Sequence, residues 1–360
     1  MIMRVLHVLN NLGTGGAENF VMNIYRQINR DKVQFDFLIR SDKNGSYVQE
    51  IKKMGGRVYL SPEFPKHFIR NYRYLKEFFS EHANEYEAIH LHANSLIYVN
   101  PLYLAKKYSI PLRVIHSHSS SADNFAAGII HRFIKNFFAL PVTNRFACSD
   151  YAGKWMFGYK EYTLIKNGID ISRFSFDISK RDELRKKLGF DGCRVYGHIG
   201  RFTDAKNHNF LIDVFSKIRD LDNNAVLLLI GNGERMETVR ELVKTRNLNE
   251  NVVFSGAVSN PEDYLSAMDV FLFPSLWEGF PVSLVEAQVN RIPCLISDRI
   301  SGSVIFNDNV TPLPIDDSEL WANTAVCQTD RLADYSPLLK RYDAKITSNE
   351  LEMFYLSGEI

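Results

Sequence analysis

Residues 269–297 read DVFLFPSLWEGFPVSLVEAQVNRIPCLIS, and their punctuation spells strand, loop, helix, strand. Residues 270–274 and 294–297 are short apolar runs, and residues 281–290 between them have the length of a helix. Pro281 suits the first helical position, where its missing N–H would lack a partner anyway and its fixed φ is already helical. Glu278 then lies in the loop before the helix and Glu286 inside it, about two turns along. The helix mouth between them offers free backbone N–H groups and the positive end of the dipole, a ready place for phosphate. An anion at the mouth and a carboxylate to either side fit a ligand whose diphosphate joins two hydroxyl-bearing sugars, as in a nucleotide-sugar.

The alternation continues outward in both directions. Strands at 195–200, 226–231 and 252–256 are separated by helices at 207–219, 235–246 and 261–268. Short strands alternating with crossover helices specify a parallel sheet with right-handed connections. The first half repeats the plan, with strands at 5–9, 35–40, 57–60, 88–92 and 145–149, another ending in HSHSSS, and helices at 47–54 and 66–80. A chain of 360 residues predicts two such domains, because single cores stop growing near about 250–300 residues. The expected division is an N-terminal Rossmann-like domain over 1–168, a linker over 169–192, a second Rossmann-like domain over 193–345, and a final amphipathic helix from 346.

Bulk properties exclude several classes. Lys plus Arg number 43 against 42 Asp plus Glu, so no global field favours nucleic acid. Cys148, Cys193, Cys294 and Cys327 are widely spaced with no C-x-x-C, which fits reduced thiols in a cytoplasm better than disulfides or structural zinc. The opening MIMRVLHVLN is too short in its apolar run for a signal peptide, and no stretch approaches the roughly 18 apolar residues of a membrane span. A cytoplasmic protein is expected, at most peripheral to a membrane. The 66–80 helix offers one such contact, because Phe68, Ile69, Tyr72, Leu75, Phe78 and Phe79 recur at helical spacing while Lys66, Arg70, Arg73 and Lys76 form a cationic side.

Three further clusters bear on chemistry. Gly200, Arg201 and Lys206 follow a strand and enter a helix; a planar fork and a point charge can neutralise a diphosphate from two directions. Cations beside a helix N-terminus are unfavourable unless an anion joins them, which points to phosphate. Gly231, Asn232, Gly233 and Glu234 form a tight turn at a strand's carboxyl end, where a base or ribose would lie. In NNLGTGGAENF the third glycine of a dinucleotide fingerprint is replaced by Glu18, and no partner acid follows a clean second strand, since Asp36 precedes residues 37–39. Gly15 and Gly16 instead let a ligand approach the backbone. His90 and His92 end one strand and His116 and His118 another, and alternation puts each pair on one face. No carboxylate or cysteine stands at matching spacing, so no metal is expected there.

In this order, GTGGAE, HSHSS, NGIDISRF, GRFTDAKNH and E-x7-E over 278–286 resemble retaining family 4 glycosyltransferases of the GT-B fold, and HSHSS is most similar to their exopolysaccharide and capsule branch. The resemblance covers nearly the whole chain. It implies two Rossmann-like domains facing a central cleft, with the last helix crossing back to the first. It assigns Glu278 to hydroxyls of the transferred sugar, Glu286 to the ribose, and Arg201 and Lys206 to the diphosphate. Gly279, Phe280 and the turn at Gly231 and Asn232 line the same donor. One departure is Pro281, which removes an amide that a glycine version offers and leaves those of Val282 and Ser283. The resemblance gives His118, or His116 two residues earlier, to the donor sugar, and sets Gly15 and Gly16 near the donor phosphate, with Glu18, His92 and His116 on the acceptor side. It implies retention of configuration, no metal or cofactor, and transfer from a UDP-linked hexose or N-acetylhexosamine to a glycan or lipid-linked acceptor in surface polysaccharide synthesis. The rival readings are a nucleotide-sugar epimerase and a catalytically silent scaffold for another transferase.

Overall fold

The computed structural model describes residues 2–13, 15–41, 45–119 and 125–359, Phe125 by its backbone alone. Thr14 of the GTGGAE motif and Ser120 and Ser121 of HSHSSS lie outside them. The chain divides into two compact units, one comprising Met1–Gly168 with Tyr342–Ile360 and the other Ile169–Arg341.

In the first unit the strands are β1 (Met3–Leu9), β2 (Val33–Ile39), β3 (Val58–Leu60), β4 (Ala88–Ala93), β5 (Leu112–Ser117), β6 (Asn144–Ala147) and β7 (Thr163–Leu164). They lie in the order β3-β2-β1-β4-β5-β6-β7, every neighbouring pair parallel. Parallel sheets are covered on both faces, so their strands carry apolar residues on both. Alternate residues accordingly enter two separate cores: Leu6, Val8, Ile89 and Ile115 on one face, Val5, Phe35, Phe37 and Val114 on the other. The C-terminal helix Ala344–Ser357 belongs to this unit and buries Leu351, Phe354 and Tyr355 in the second of those cores, beside the helix Gly16–Gln27. The expected return of the last helix is thus observed.

Asp36, weighed above as a cofactor acid, is fully buried in β2 and has another task. Its carboxylate accepts from the Arg4 guanidinium at 2.6 Å, the Arg57 guanidinium at 2.8 Å and the Tyr86 hydroxyl at 3.0 Å.

In the second unit β8 (Arg194–Ile199), β9 (Ala225–Ile230), β10 (Val252–Gly256), β11 (Val270–Phe273), β12 (Cys294–Ser297) and β13 (Val310–Leu313) lie in the order β10-β9-β8-β11-β12-β13, again all parallel. The helices Ile171–Phe174 and Ile178–Leu188 pack on it through Ile171, Phe174 and, just beyond, Phe190. Both sheets reverse their strand order beside the first strand, between β1 and β4 and between β8 and β11. At such a switch point neighbouring loops leave in opposite directions and open a crevice at the carboxyl ends, where ligands bind. Among the described residues no helix is long and apolar enough to cross a membrane.

Candidate active site

The switch point of the second unit gathers residues far apart in sequence. After β8 the chain runs through Gly200 and Arg201 into a short 3-10 turn, Asp204–Lys206. After β11 it runs through Glu278 to the helix Val282–Val289. The Leu276 amide donates to the Ala205 carbonyl at 2.7 Å and ties the two loops together. Lys206 Nζ then meets Glu278 Oε1 at 2.6 Å, and lies 4.6 Å from the centre of the Phe273 ring. Both side chains of the pair are only 15% exposed. Charges this far from water need partners, and each supplies the other.

This changes the physical reason for the lysine. Asn207, expected to open the following helix, has φ of 53° and caps the helix His208–Leu221 from outside, so Lys206 ends the 3-10 turn just before that cap. Its counter-charge is Glu278, and no phosphate is required to hold it there. Arg201 behaves differently: its side chain is 74% exposed and reaches Glu234 at 3.3 Å. Surface pairs of this kind hold side chains weakly, so Arg201 is free to turn toward a ligand.

The glycine turn after β9 does structural work. Gly231 has φ of 134°, and a Cβ there would stand 2.1 Å from the Gly200 carbonyl oxygen; one on Gly233 would stand 2.4 Å from the Phe202 oxygen. The Phe202 amide donates to the Asn232 carbonyl at 3.0 Å. Gly200 is also crowded, its Cβ position lying 2.7 Å from His198 Nε2 and 3.1 Å from Lys206 Cε. These glycines let the loops after β8 and β9 touch backbone to backbone.

At the second carboxylate the helix begins at Val282, with Pro281 as its cap rather than its first residue. The Val282 amide already donates to the Phe280 carbonyl at 3.0 Å, so of the two amides expected to face an anion one is engaged. Among the described residues no acceptor meets the Ser283 amide. Glu286 is 6% exposed. Burial raises its pKa from 4.5 to about 8, against the pull of Arg173 and with a small push from Glu262. At neutral pH it is therefore a protonated carboxyl, able to donate a hydrogen bond as well as accept one.

Sequence reasoning overlooked His198 and Phe273. His198 Nδ1 meets the Leu272 carbonyl at 2.8 Å, while its Nε2 is buried with no partner among the described residues, beside Gly200. The signal was present in YGHIGR, a histidine at a strand's carboxyl end like those of the first unit.

In the first unit Gly15 caps the helix Gly16–Gln27, and Glu18 stands in its first turn. A Cβ on Gly15 would meet only the flexible end of Glu18, and one on Gly16 nothing within 4 Å. Among the described residues nothing crowds Gly16. The histidine pairs share a face as expected, the His90 and His92 rings stacking at 4.4 Å and those of His116 and His118 lying 4.1 Å apart. His116 is fully buried and bonded to His90, and His92 is bonded to His7 and His118. His92 and His116, expected on the acceptor side, are both interior and hydrogen-bonded to other histidines. His118 lies further out than His116 on the same face. The trios His7, His90, His92 and His92, His116, His118 each bring three ring nitrogens within 4.8 Å of one another, close enough for a metal.

Two doubly wound units, with a charged pair bridging the loops at one switch point, define a glycosyltransferase of the GT-B fold. Residues 14–173 match the Glycosyltransferase Family 4 domain and residues 180–323 the Glycosyl transferases group 1 domain. EpsF of Bacillus subtilis (strain 168) is 34% identical over 341 residues, covering 89% of this chain and 86% of that protein. CapH of Staphylococcus aureus, a capsular polysaccharide biosynthesis glycosyltransferase, is 25% identical over 99% of both. The crystal structure of Anabaena HepE in complex with UDP and glucose superposes with a TM-score of 0.80 at 17% identity, over 99% of this chain and all of that one. The chain belongs to glycosyltransferase family 4.

Proposed function

We propose that the protein is a retaining glycosyltransferase that moves a hexose or N-acetylhexosamine from a UDP-linked donor to a growing surface polysaccharide. The observation that carries this reading is the Lys206–Glu278 pair at the switch point of the second sheet. Breaking the anomeric C–O bond leaves positive charge on the sugar and negative charge on the departing diphosphate. Fixed cations and helix amides aimed at that second charge are the kind of stabilisation that usually contributes most to catalysis. As the diphosphate arrives it replaces Glu278 as the counter-ion of Lys206, Arg201 swings in from Glu234, and the Ser283 amide adds a neutral donor. Glu278, released, turns to hydroxyls of the transferred sugar. The protonated Glu286 donates to the ribose, and Gly231 and Asn232 border the base. The family resemblance supports roles for His118 at the donor sugar, for Gly16 at the donor phosphate and for Glu18 on the acceptor side. The family resemblance supports transfer without metal or cofactor, with the acceptor hydroxyl attacking from the face the diphosphate leaves. The ligands named for HepE and the capsular role named for CapH support the choice of donor and pathway.

The acceptor is a glycan or a lipid-linked sugar, met at the inner face of the membrane. In the helix Phe68–His82 only Phe68, Ile69 and Tyr72 of the apolar stripe are exposed, because Leu75, Phe78 and Phe79 are core. The helix Phe125–Phe137 presents more: Ile129, Ile130, Phe133 and Phe137, with Phe138 beyond, are all exposed beside Arg132. Apolar side chains flanked by cations suit an anionic bilayer surface.

The test is release of UDP from a panel of UDP-sugars. Turnover with at least one donor, abolished in Glu278→Ala, is expected; undiminished release in that variant would remove Glu278 from the site.

A further inference from the structure

Five histidines cross the first unit's sheet at its switch point, and they are joined in rows. His7 Nδ1 lies 3.0 Å from His92 Nε2, and His92 Nδ1 lies 2.8 Å from His118 Nε2. A second row runs from the Tyr355 hydroxyl to His90 Nδ1 at 2.6 Å and from His90 Nε2 to His116 Nδ1 at 3.3 Å. The ring centres of His7 and His92 are 5.3 Å apart with planes 17° from parallel, and those of His92 and His118 are 5.0 Å apart. With ring nitrogens 3.0 Å and 2.8 Å apart, such rings meet edge to edge, as hydrogen-bonded rings do. In each such contact the lone pair of one ring meets the N–H of its neighbour.

All five rings are neutral, because burial pulls each pKa far below 6.5, to about 3 for His7 and His118. A neutral imidazole has one donor nitrogen and one acceptor nitrogen. Each contact in a row joins an Nδ1 to an Nε2, so a proton on Nε2 of one ring requires a proton on Nε2 of the next. Only two arrangements satisfy the longer row: every ring protonated on Nε2, or every ring on Nδ1. The free ends are His7 Nε2 and His118 Nδ1, both buried and without partner among the described residues. In the first arrangement His118 Nδ1 presents a lone pair, in the second an N–H. Phe20 packs across His116 and His118, with ring centres 5.0 and 5.4 Å away, and holds them in place.

We propose that His7 and His92 are positioning residues that tie the tautomer and orientation of His118 to their own, so that its Nδ1 meets a substrate hydroxyl with the hydrogen-bonding character the whole row shares. The catalytic consequence rests on the reading that His118 faces the transferred sugar; the shared tautomer does not. A site built to bond a hydroxyl in one sense leaves its own buried nitrogen unpaired when that hydroxyl is missing or misplaced, which is a strong form of discrimination.

The experiment uses the full chain labelled with ¹⁵N-histidine and long-range ¹H–¹⁵N correlation spectra, which distinguish the two tautomers. His7, His92 and His118 are expected to carry their proton on the same-named nitrogen, and a mixture within that row overturns the proposal. In His92→Phe, which keeps a planar ring and removes both bonds, His118 should populate both tautomers. The kcat with a UDP-sugar should fall about tenfold with KM little changed. An unaltered kcat alongside a disrupted tautomer overturns the positioning role. The wild-type spectrum decides the row even if the variant does not fold. It does so equally if no UDP-sugar is turned over, an outcome that would count against the proposed function alone.

Discussion

Lys206 and Glu278, 72 positions apart in sequence, meet at 2.6 Å because the loops after β8 and β11 converge at the point where the second sheet reverses its strand order. The pair keeps two poorly solvated charges neutral until a ligand replaces one of them. Glu278→Gln removes the competitor for Lys206 while keeping the side chain's shape. UDP affinity is therefore expected to hold or rise in this variant while kcat falls at least about tenfold, since charge-assisted bonds to the sugar are worth about 1.5–3 kcal/mol. Calorimetric titration with UDP beside turnover assays checks the split, and a weakened UDP affinity in Glu278→Gln would contradict the exchange of counter-ions.

Glu286 gives stability an alkaline limb. Its folded pKa, about 8, lies above the ordinary 4.5. Below 4.5 the carboxyl is protonated in both states. Above it the unfolded chain releases the proton first, so stability declines as pH rises, by up to about 1.4 kcal/mol per unit, until the folded group ionises near 8. Glu286→Gln should cancel this slope, and thermal melts at pH 5 and pH 8 are predicted to favour the variant more at the higher pH. Equal shifts at both would contradict the buried neutral carboxyl.

Asp36 acts in the opposite direction. Burial pushes its carboxyl up, but hydrogen bonds from Arg4 and Arg57 outweigh that and hold the pKa below 3.8. Its contribution is complete above that value and is lost as pH falls below it. Asp36→Asn takes the carboxylate from Arg4 and leaves Arg57 only Glu85, at 2.6 Å, and should cost about 3 kcal/mol, read from urea unfolding of the first unit's signal; a loss under about 1 kcal/mol, roughly that of a surface pair, would contradict the network.

Much of the fold was legible because parallel strands buried on both faces, such as AVLLLI in β9, leave nearly unbroken apolar runs. The helices Asn100–Lys107 and Phe125–Phe137 went unread, although in the latter Ile129, Ile130, Phe133 and Phe137 recur at helical spacing and offered the signal. Strand β13 was missed as well: it carries Pro312, which is tolerated there because β13 is at the sheet's edge. Motifs placed Lys206 and Glu278 in one site, but their direct contact depends on how two loops fold over each other. Alternation put His116 and His118 on one face, whereas the diagonal bonds between strands depend on sheet register, which sequence does not fix.

Gly231 should be irreplaceable for backbone reasons. Gly231→Ala adds a Cβ 2.1 Å from the Gly200 carbonyl at a φ that side chains rarely adopt. A loss on the order of 1–3 kcal/mol is expected from the strained φ alone, with weaker UDP binding because the loop carrying Arg201 must shift. Wild-type stability and affinity in this variant would show that the turn yields easily.

The exposed apolar face of the helix Phe125–Phe137 predicts sedimentation with vesicles containing phosphatidylglycerol. Ile129→Ser with Phe133→Ser should reduce bound protein about tenfold without changing the melting temperature, since both side chains are already exposed. Unchanged sedimentation would move the membrane contact elsewhere.

Calorimetric titration of UDP into the wild-type protein and into Lys206→Ala combined with Arg201→Ala tests whether these two cations hold the diphosphate. The wild type should bind UDP saturably at one site, and the double variant at least about a hundredfold more weakly, a difference of about 2.7 kcal/mol. Equal affinities in the two proteins, or no heat with the wild type, would contradict a diphosphate held at the switch point of the second sheet.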